Sequence, residues 1–94
     1  MSQTLYTLKL LSGAEIVGRL VNEDDNVVVL EKARVVQMVQ TGPQQVGMSL
    51  QPFMVSDIDG EIPFLRAGFA TNPIAPSEEI EKPYLEQTTS IALA

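Results

Sequence analysis

The densest group of polar side chains in this sequence is the tetrad Glu-Asp-Asp-Asn at residues 23–26. Its carboxylates accept hydrogen bonds, and the Asn26 amide both donates and accepts them, so these side chains are suited to binding a polar ligand. The same side chains also bond back to their own backbone in tight turns. Two interpretations follow. Either the tetrad is a binding loop ordered by Asp24 and Asp25, or it is the solvated tip of a hairpin.

Side chains suited to catalysis or metal binding are scarce. The chain has no His and no Cys, so it lacks the commonest general base, the commonest metal ligand and any thiolate or disulfide. The stretch Asp-Ile-Asp-Gly-Glu at residues 57–61 resembles the start of a calcium loop, but it lacks the remaining oxygen ligands and the distal glutamate. A turn is the simpler interpretation. We therefore expect a protein that is not an enzyme and that carries no metal or cofactor.

The overall charge disfavours generic nucleic-acid binding. The sequence has twelve acidic and six basic residues. The resulting net charge of −6 has the wrong sign for a protein that gains affinity by neutralising phosphates. Lys32 and Arg34 are either a phosphate contact or a surface pair, and Arg66 is either a site residue or a charge that discourages wrong edge pairing. No apolar run approaches the ~18 residues of a membrane span, so we expect a cytoplasmic protein without a membrane partner.

Alternating apolar and polar residues predict five short β-strands in a single domain. The predicted strands span residues 5–11, 14–21, from 27 onward, 46–50 with an extension to 55, and 62–70. Turn residues separate them at Ser12-Gly13, at the acidic tetrad, at Thr41-Gly42-Pro43 and at residues 57–60.

Two features predict that these strands bend strongly. Gly18 lies inside the second strand, where a missing side chain permits a bend or a close approach of backbone. In the third strand the apolar phase changes between Leu30 and Ala33, which a bulge near Glu31 and Lys32 would repair. Five short, bent strands predict an all-β fold, a small closed or partly open antiparallel barrel.

A change in character after Pro73 divides the chain into a barrel, residues 1–72, and a helical extension, residues 73–94. Ser77 is the predicted N-cap, with two glutamates in the favourable first turn. Pro83 interrupts the helical pattern and predicts either a kink or a fresh helical start. Residues 88–94 are expected to be frayed or docked on a neighbouring subunit. The residues expected to pack on the barrel or a ring face are Ile80, Tyr84, Leu85 and Ile91.

The first three predicted strands resemble the first signature of the Sm-like protein family. That family combines an apolar-x-Leu strand, an Asp/Asn/Ser-Gly turn, a second strand with an internal glycine, an acidic turn and an Asn-apolar-x-Leu strand. The matching residues here are Leu8, Leu10, Ser12, Gly13, Ile16, Gly18, Leu20, Asp25, Asn26, Leu30 and Ala33. The second signature, apolar-Arg/Lys-Gly, is matched less closely, by residues 65–68 (Leu-Arg-Ala-Gly) with one residue too many.

The resemblance implies a strongly bent five-stranded antiparallel SH3-type barrel with a C-terminal helix, in which Gly13 and Gly18 are structural residues. A helix placed last is similar to the Sm-like proteins of tailed phages, which implies a phage-encoded or bacterial protein. The family also implies a homo-oligomeric ring of about five to seven subunits, closed by pairing the fourth strand of one subunit with the fifth strand of the next.

RNA-binding relatives hold a nucleobase near the pore, between an Asn after the acidic turn and the cation of the second signature. The resemblance therefore implies RNA binding through Asp25 and either Asn26 or Val27, together with Arg66 and Gly68. If Leu30 aligns with the signature leucine, the Asn position falls on Val27, which cannot read a base, and Asn26 lies one residue early.

The alternative function is a structural module in phage or host assembly that binds no nucleic acid. The acidic net charge and the altered second signature favour this alternative.

Overall fold

The computed structural model describes residues 4–88 of the chain. Its five strands are β1 (Leu5–Lys9), β2 (Glu15–Glu23), β3 (Val27–Gly42), β4 (Gln45–Pro52) and β5 (Glu61–Leu65). Short 3₁₀ helices occupy Val55–Asp57 and Arg66–Gly68, and one α-helix, α1, spans Glu78–Thr88. The prediction of an all-β fold with five antiparallel strands and a C-terminal helix is confirmed at this level.

β3 is the central strand and has different partners along its length. β2 pairs with residues 28–36 of β3. β5 pairs with the first part of β3, from Val27 to Glu31, and β4 pairs with the second part, from Arg34 to Gly42. The loop predicted to begin at Thr41 was placed too early. The β3–β4 ladder continues to the pair Gly42–Gln45, so only two residues connect these strands.

β3 bends where its partners change. Val17 of β2 pairs with Arg34, and Arg19 pairs with Glu31, so β3 contains one more residue than β2 across this interval. Lys32 lies in that interval with a φ of 54°, a left-handed conformation that non-glycine residues rarely adopt. The bulge predicted from the phase change near Glu31 and Lys32 is confirmed, and it lets both halves of β3 turn apolar side chains into a core.

Gly18 lies on β2 opposite this bulge. A Cβ atom on Gly18 would lie 3.0 Å from Leu30 Cβ and 3.1 Å from Leu30 Cδ1. The two strands therefore approach more closely than a side chain at this position would allow. Gly13 meets a different requirement, because the turn after β1 gives it a φ of 97°.

The sheet buries side chains on both faces. Neighbouring residues of β2 point to opposite sides: Ile16 belongs to one apolar cluster and Val17 to another, and both are fully buried. The first cluster lies inside the curved sheet and contains Leu8, Ile16, Val28, Leu30, Ala33, Ile62 and Phe64. The second lies under α1 and contains Leu5, Val17, Leu50 and Tyr84.

The chain that follows β5 returns to β1. Predicted as a single strand over residues 62–70, this region instead stops pairing with β3 at Leu65 and passes through the second 3₁₀ helix. The Ala70 amide then donates to Lys9 O at 2.7 Å, and Thr7 and Ile74 exchange two backbone hydrogen bonds of 2.8 and 2.9 Å. β1 is thus bonded to β2 on one side and to this returning segment on the other.

α1 crosses the second face of the sheet from its first strand to its fourth. The chain enters from Ile74, which is bonded to β1, and near the helix end the Gln87 amide donates to Leu50 O of β4 at 3.1 Å. Ile80, Tyr84 and Leu85 pack on the second cluster, as predicted, while Ile91 and the rest of residues 89–94 lie outside the described residues. Pro83 does not divide the helix into two elements, although it cannot donate to the carbonyl of Glu79.

Tyr84 connects α1 to the bulge. Its side chain is 1 % exposed, and its hydroxyl donates to the carbonyl of Lys32 at 2.9 Å. Burial raises the pKa of Tyr84 to about 12, because the tyrosinate anion is poorly solvated there.

Replacing Gly18 with alanine is expected to destabilise the fold by about 1–3 kcal/mol, the usual cost of overpacking a tight contact. The new methyl group must displace Leu30, which is completely buried. Gly68→Ala is the matched control, since a Cβ at Gly68 meets no atom within 4 Å. Urea unfolding of both variants measures the difference. Equal midpoints for the two variants would contradict the close approach at Gly18.

Stability is expected to fall as the pH rises from about 10 towards 12. Unfolded tyrosine loses its proton near pH 10, whereas folded Tyr84 holds it until about 12, so the folded state binds more protons in this interval. The stabilisation is complete below pH 10 and is lost as the pH passes through the folded pKa. Ultraviolet titration of Tyr6→Phe, in which Tyr84 is the single remaining tyrosine, measures the pKa directly. An ordinary value near 10 would refute the burial argument.

Candidate functional site

The acidic tetrad forms the tight turn between β2 and β3, and Asp24 organises it. Oδ1 of Asp24 accepts hydrogen bonds from the backbone amides of Asn26 at 2.7 Å and Val27 at 2.9 Å. These two bonds lower the pKa of the Asp24 carboxyl, because they favour its charged form. The Asp24 amide in turn donates to Val27 O at 2.9 Å. The Asp24 side chain therefore provides turn chemistry, and the turn holds residues 25 and 26 at its exposed tip.

Arg66 lies against this turn. Its guanidinium donates from Nε to Asp24 O at 2.7 Å and from Nη2 to Glu23 Oε1 at 2.8 Å, and its backbone amide donates to Asn26 O at 2.9 Å. The register of the sheet explains the approach. Val27 pairs with Leu65, so the residue after β5 must lie beside the residue before β3. Arg66 of the second signature region is thereby brought beside the backbone of Asn26 in the first.

Glu23 has a second partner, on β1. The Tyr6 hydroxyl donates to Glu23 Oε2 at 2.7 Å, while the other carboxylate oxygen of Glu23 accepts from Arg66. This hydrogen bond to Glu23 is the main reason that the pKa of Tyr6 is raised. Sequence reasoning missed the roles of Tyr6 and Glu23. No spacing motif joins positions 17 residues apart, and only the pairing of β1, β2 and β3 brings them together.

The remaining candidate residues differ in how accessible they are. Asp25 and Asn26 are exposed, and within residues 4–88 neither side chain makes a hydrogen bond. Val27 is half-buried in the ladder opposite Leu65. The Gly68 carbonyl accepts from the Leu11 amide at 2.8 Å, so Gly68 is bonded to the turn that follows β1 and makes no hydrogen bond to the acidic turn within the described residues.

The interpretation of Lys32 and Arg34 as a basic surface spot was wrong for Arg34. Arg34 is 5 % exposed, and its guanidinium donates to Asp59 Oδ1 at 2.8 Å, to Ile58 O at 3.0 Å and to Gln87 Oε1 at 2.6 Å. It joins β3, α1 and the turn before β5, where it is not available to a phosphate. Lys32 donates to the carbonyl of Thr88 at 3.0 Å.

Residues 57–60 form the turn that leads into β5. Asp59 of this turn pairs with Arg34, and Gly60 donates to Asp57 O at 3.3 Å. No group of acidic residues suited to holding a metal ion is found in the part of the chain from residue 4 to residue 88.

Two strand edges have no partner strand within the described residues. β4 pairs only with β3, and β5 also pairs only with β3. Both edges carry exposed apolar side chains: Val46 of β4 is 65 % exposed and Leu65 of β5 is 64 % exposed. Beside β5 lies a groove of 480 Å³, lined among others by Leu11, Met54 and Leu65. Such edges readily pair with another chain.

The sequence matches no protein-family model and no curated protein. None of the helices in residues 4–88 is long and apolar enough to cross a membrane.

Proposed function

We propose that this chain is an Sm-like subunit that assembles with copies of itself into a ring and binds single-stranded RNA around the acidic turn. The observation that carries the proposal is the position of Arg66, which contacts residues 23–26 through one backbone and two side-chain hydrogen bonds. A planar cation held against the turn that carries the exposed Asn26 is suited to binding a single nucleobase. The guanidinium stacks on or pairs with the ligand, and the amide reads its edge.

Asn26, rather than Val27, is the base-reading residue in this proposal. Asn26 is exposed, its backbone carbonyl accepts a hydrogen bond from the Arg66 amide, and its side-chain amide has both a donor and an acceptor to offer. Val27 supplies only a half-buried apolar side chain in the ladder with Leu65. Asp25, also exposed at the tip of the turn, would accept hydrogen bonds from sugar or base.

The unpaired edges of β4 and β5 support assembly. β4 of one subunit would extend the sheet of the next beside β5, which would satisfy backbone groups on both edges and cover Val46 and Leu65. A head-to-tail contact of this kind closes into a ring when its rotation permits, and about five to seven subunits is the size that the resemblance implies. The ring would act in the cytoplasm of a bacterial host, as a phage or host protein.

A structural module without a nucleic-acid ligand is the second candidate. The observation that favours it is the charge around Arg66, whose guanidinium is paired with Glu23 and bonded to a turn that carries two further carboxylates, those of Asp24 and Asp25. Such a surface repels phosphates at long range unless assembly adds positive charge from a neighbouring subunit.

Val46→Lys is expected to shift the protein from a ring to a monomer of 10.2 kDa, because a charge on β4 opposes edge pairing. Val55→Lys is the matched control: Val55 is 80 % exposed but lies in a 3₁₀ helix outside the ladder. Size-exclusion chromatography with light scattering gives the mass of each. A monomeric wild-type protein at high concentration would rule out the ring.

Arg66→Ala is expected to weaken binding of short U-rich or A-rich RNA about tenfold, as loss of one stacked or charged contact does. Lys82→Ala, on the exposed side of α1, removes the same charge elsewhere and should leave affinity unchanged. Filter binding at low salt measures both variants. If ring-sized wild-type protein binds neither RNA, the RNA half of the proposal fails and the structural module stands.

A further inference from the structure

The guanidinium of Arg66 already has an anionic partner in this chain. Nη2 lies 2.8 Å from Glu23 Oε1, and Nε is bonded to the carbonyl of Asp24 at 2.7 Å. Two of the N–H donors with which an arginine binds a phosphate or a base edge are therefore already hydrogen-bonded within the chain. Any anionic ligand that approaches Arg66 meets a carboxylate in the same place.

We propose that Glu23 is an internal competitor for the ligand of Arg66, and that Tyr6 holds it in position. This inference rests on the proposed function and names the residue that regulates the same site. RNA binding requires the Glu23 carboxylate to leave Arg66, so Glu23 sets an affinity lower than the site would otherwise have. The competing carboxylate acts at a high effective concentration because the turn keeps it within reach of Arg66.

Tyr6 orients the Glu23 carboxylate towards Arg66. Its hydroxyl donates to Glu23 Oε2 at 2.7 Å, so the carboxylate is held by one oxygen on β1 and by the other on Arg66. A glutamate fixed at both oxygens lies in one orientation and does not swing into water. Tyr6 thus acts as a positioning residue for Glu23, without contacting Arg66 through a hydrogen bond of its own.

The contact is weak enough to be displaced. The side chains of Arg66 and Glu23 are 29 % and 35 % exposed, and ion pairs at this exposure contribute little because water and salt screen them. The phosphate chain of a nucleic acid presents several charges at once and can compete with a single carboxylate. The pair therefore lowers RNA affinity without abolishing it.

The test compares Glu23→Gln with the wild-type protein, using U-rich RNA and linear inorganic polyphosphate as separate probes at low salt. Glu23→Gln keeps the shape of the side chain and removes the charge. RNA affinity is expected to rise about threefold to tenfold, and polyphosphate affinity should rise with it. Tyr6→Phe should raise RNA affinity about twofold and should add nothing to Glu23→Gln.

Two controls isolate the contact with Arg66. Glu79→Gln removes one negative charge from the exposed part of α1 and should leave both affinities unchanged. In the Arg66→Ala background, Glu23→Gln should give no gain, because the two residues act as a pair. Thermal melting of every variant confirms that the differences do not come from unfolding.

The outcomes separate this inference from the proposed function. If the wild-type protein binds RNA and Glu23→Gln binds it no tighter, or no tighter than Glu79→Gln does, the competitor is refuted and RNA binding stands. If neither protein binds RNA, but Glu23→Gln binds polyphosphate more tightly than the wild-type protein and loses this gain in the Arg66→Ala background, the competitor stands and RNA binding fails. If no variant binds either probe, both proposals are overturned.

Discussion

The bulge at Lys32 is the constraint on which the rest of this structure depends. β3 pairs with β5 before this point and with β4 after it, so the strand changes partner at the position where it bends. The extra residue and the left-handed φ of 54° at Lys32 turn the strand and change its phase. A left-handed non-glycine residue is strained by about 1–2 kcal/mol, so its neighbours must stabilise it. Gly18 provides the room opposite, and Tyr84 donates a hydrogen bond to the Lys32 carbonyl.

The same bend explains why α1 packs on the sheet as part of the core. A bent sheet exposes a second apolar face, with Leu5, Val17 and Leu50, and α1 covers it with Tyr84. Arg34 follows the bulge on β3 and lies almost fully buried between α1 and the turn before β5. Its charge is offset by Asp59 and by backbone and amide oxygens, which is the condition for burying an arginine. Removal of one of these partners would leave that charge uncompensated.

The local parts of this fold could be predicted from the sequence because their causes are local. The phase change between Leu30 and Ala33 revealed the bulge, and a glycine inside β2 indicated the bend. The burial of Val17 could not be predicted in this way, because Val17 shares its face of β2 with the charged residues Glu15 and Arg19. What covers Val17 is a helix more than 60 residues further along the chain.

The candidate site shows the same division between local and distant causes. That Asp24 closes a turn follows from its residue type and position alone. The meeting of Arg66 with that turn follows instead from the pairing of Val27 with Leu65, a register that neither strand specifies by itself. Tyr6 and Glu23 meet only after β1, β2 and β3 are in register, which is why no motif indicated them.

β5 connects the proposed binding site with the proposed assembly edge. One edge of β5 pairs with β3 and places Arg66 beside the acidic turn, while its other edge has no strand partner within residues 4–88. A neighbouring β4 added to that outer edge would hold Leu65 in an ordered ladder on both sides, one residue before Arg66. Order in β5 reduces the freedom that Arg66 would lose on binding, so assembly would favour binding without changing any direct contact. In the proposed ring, assembly would position the cation, and the carboxylate of Glu23 would decide how readily that cation accepts a ligand.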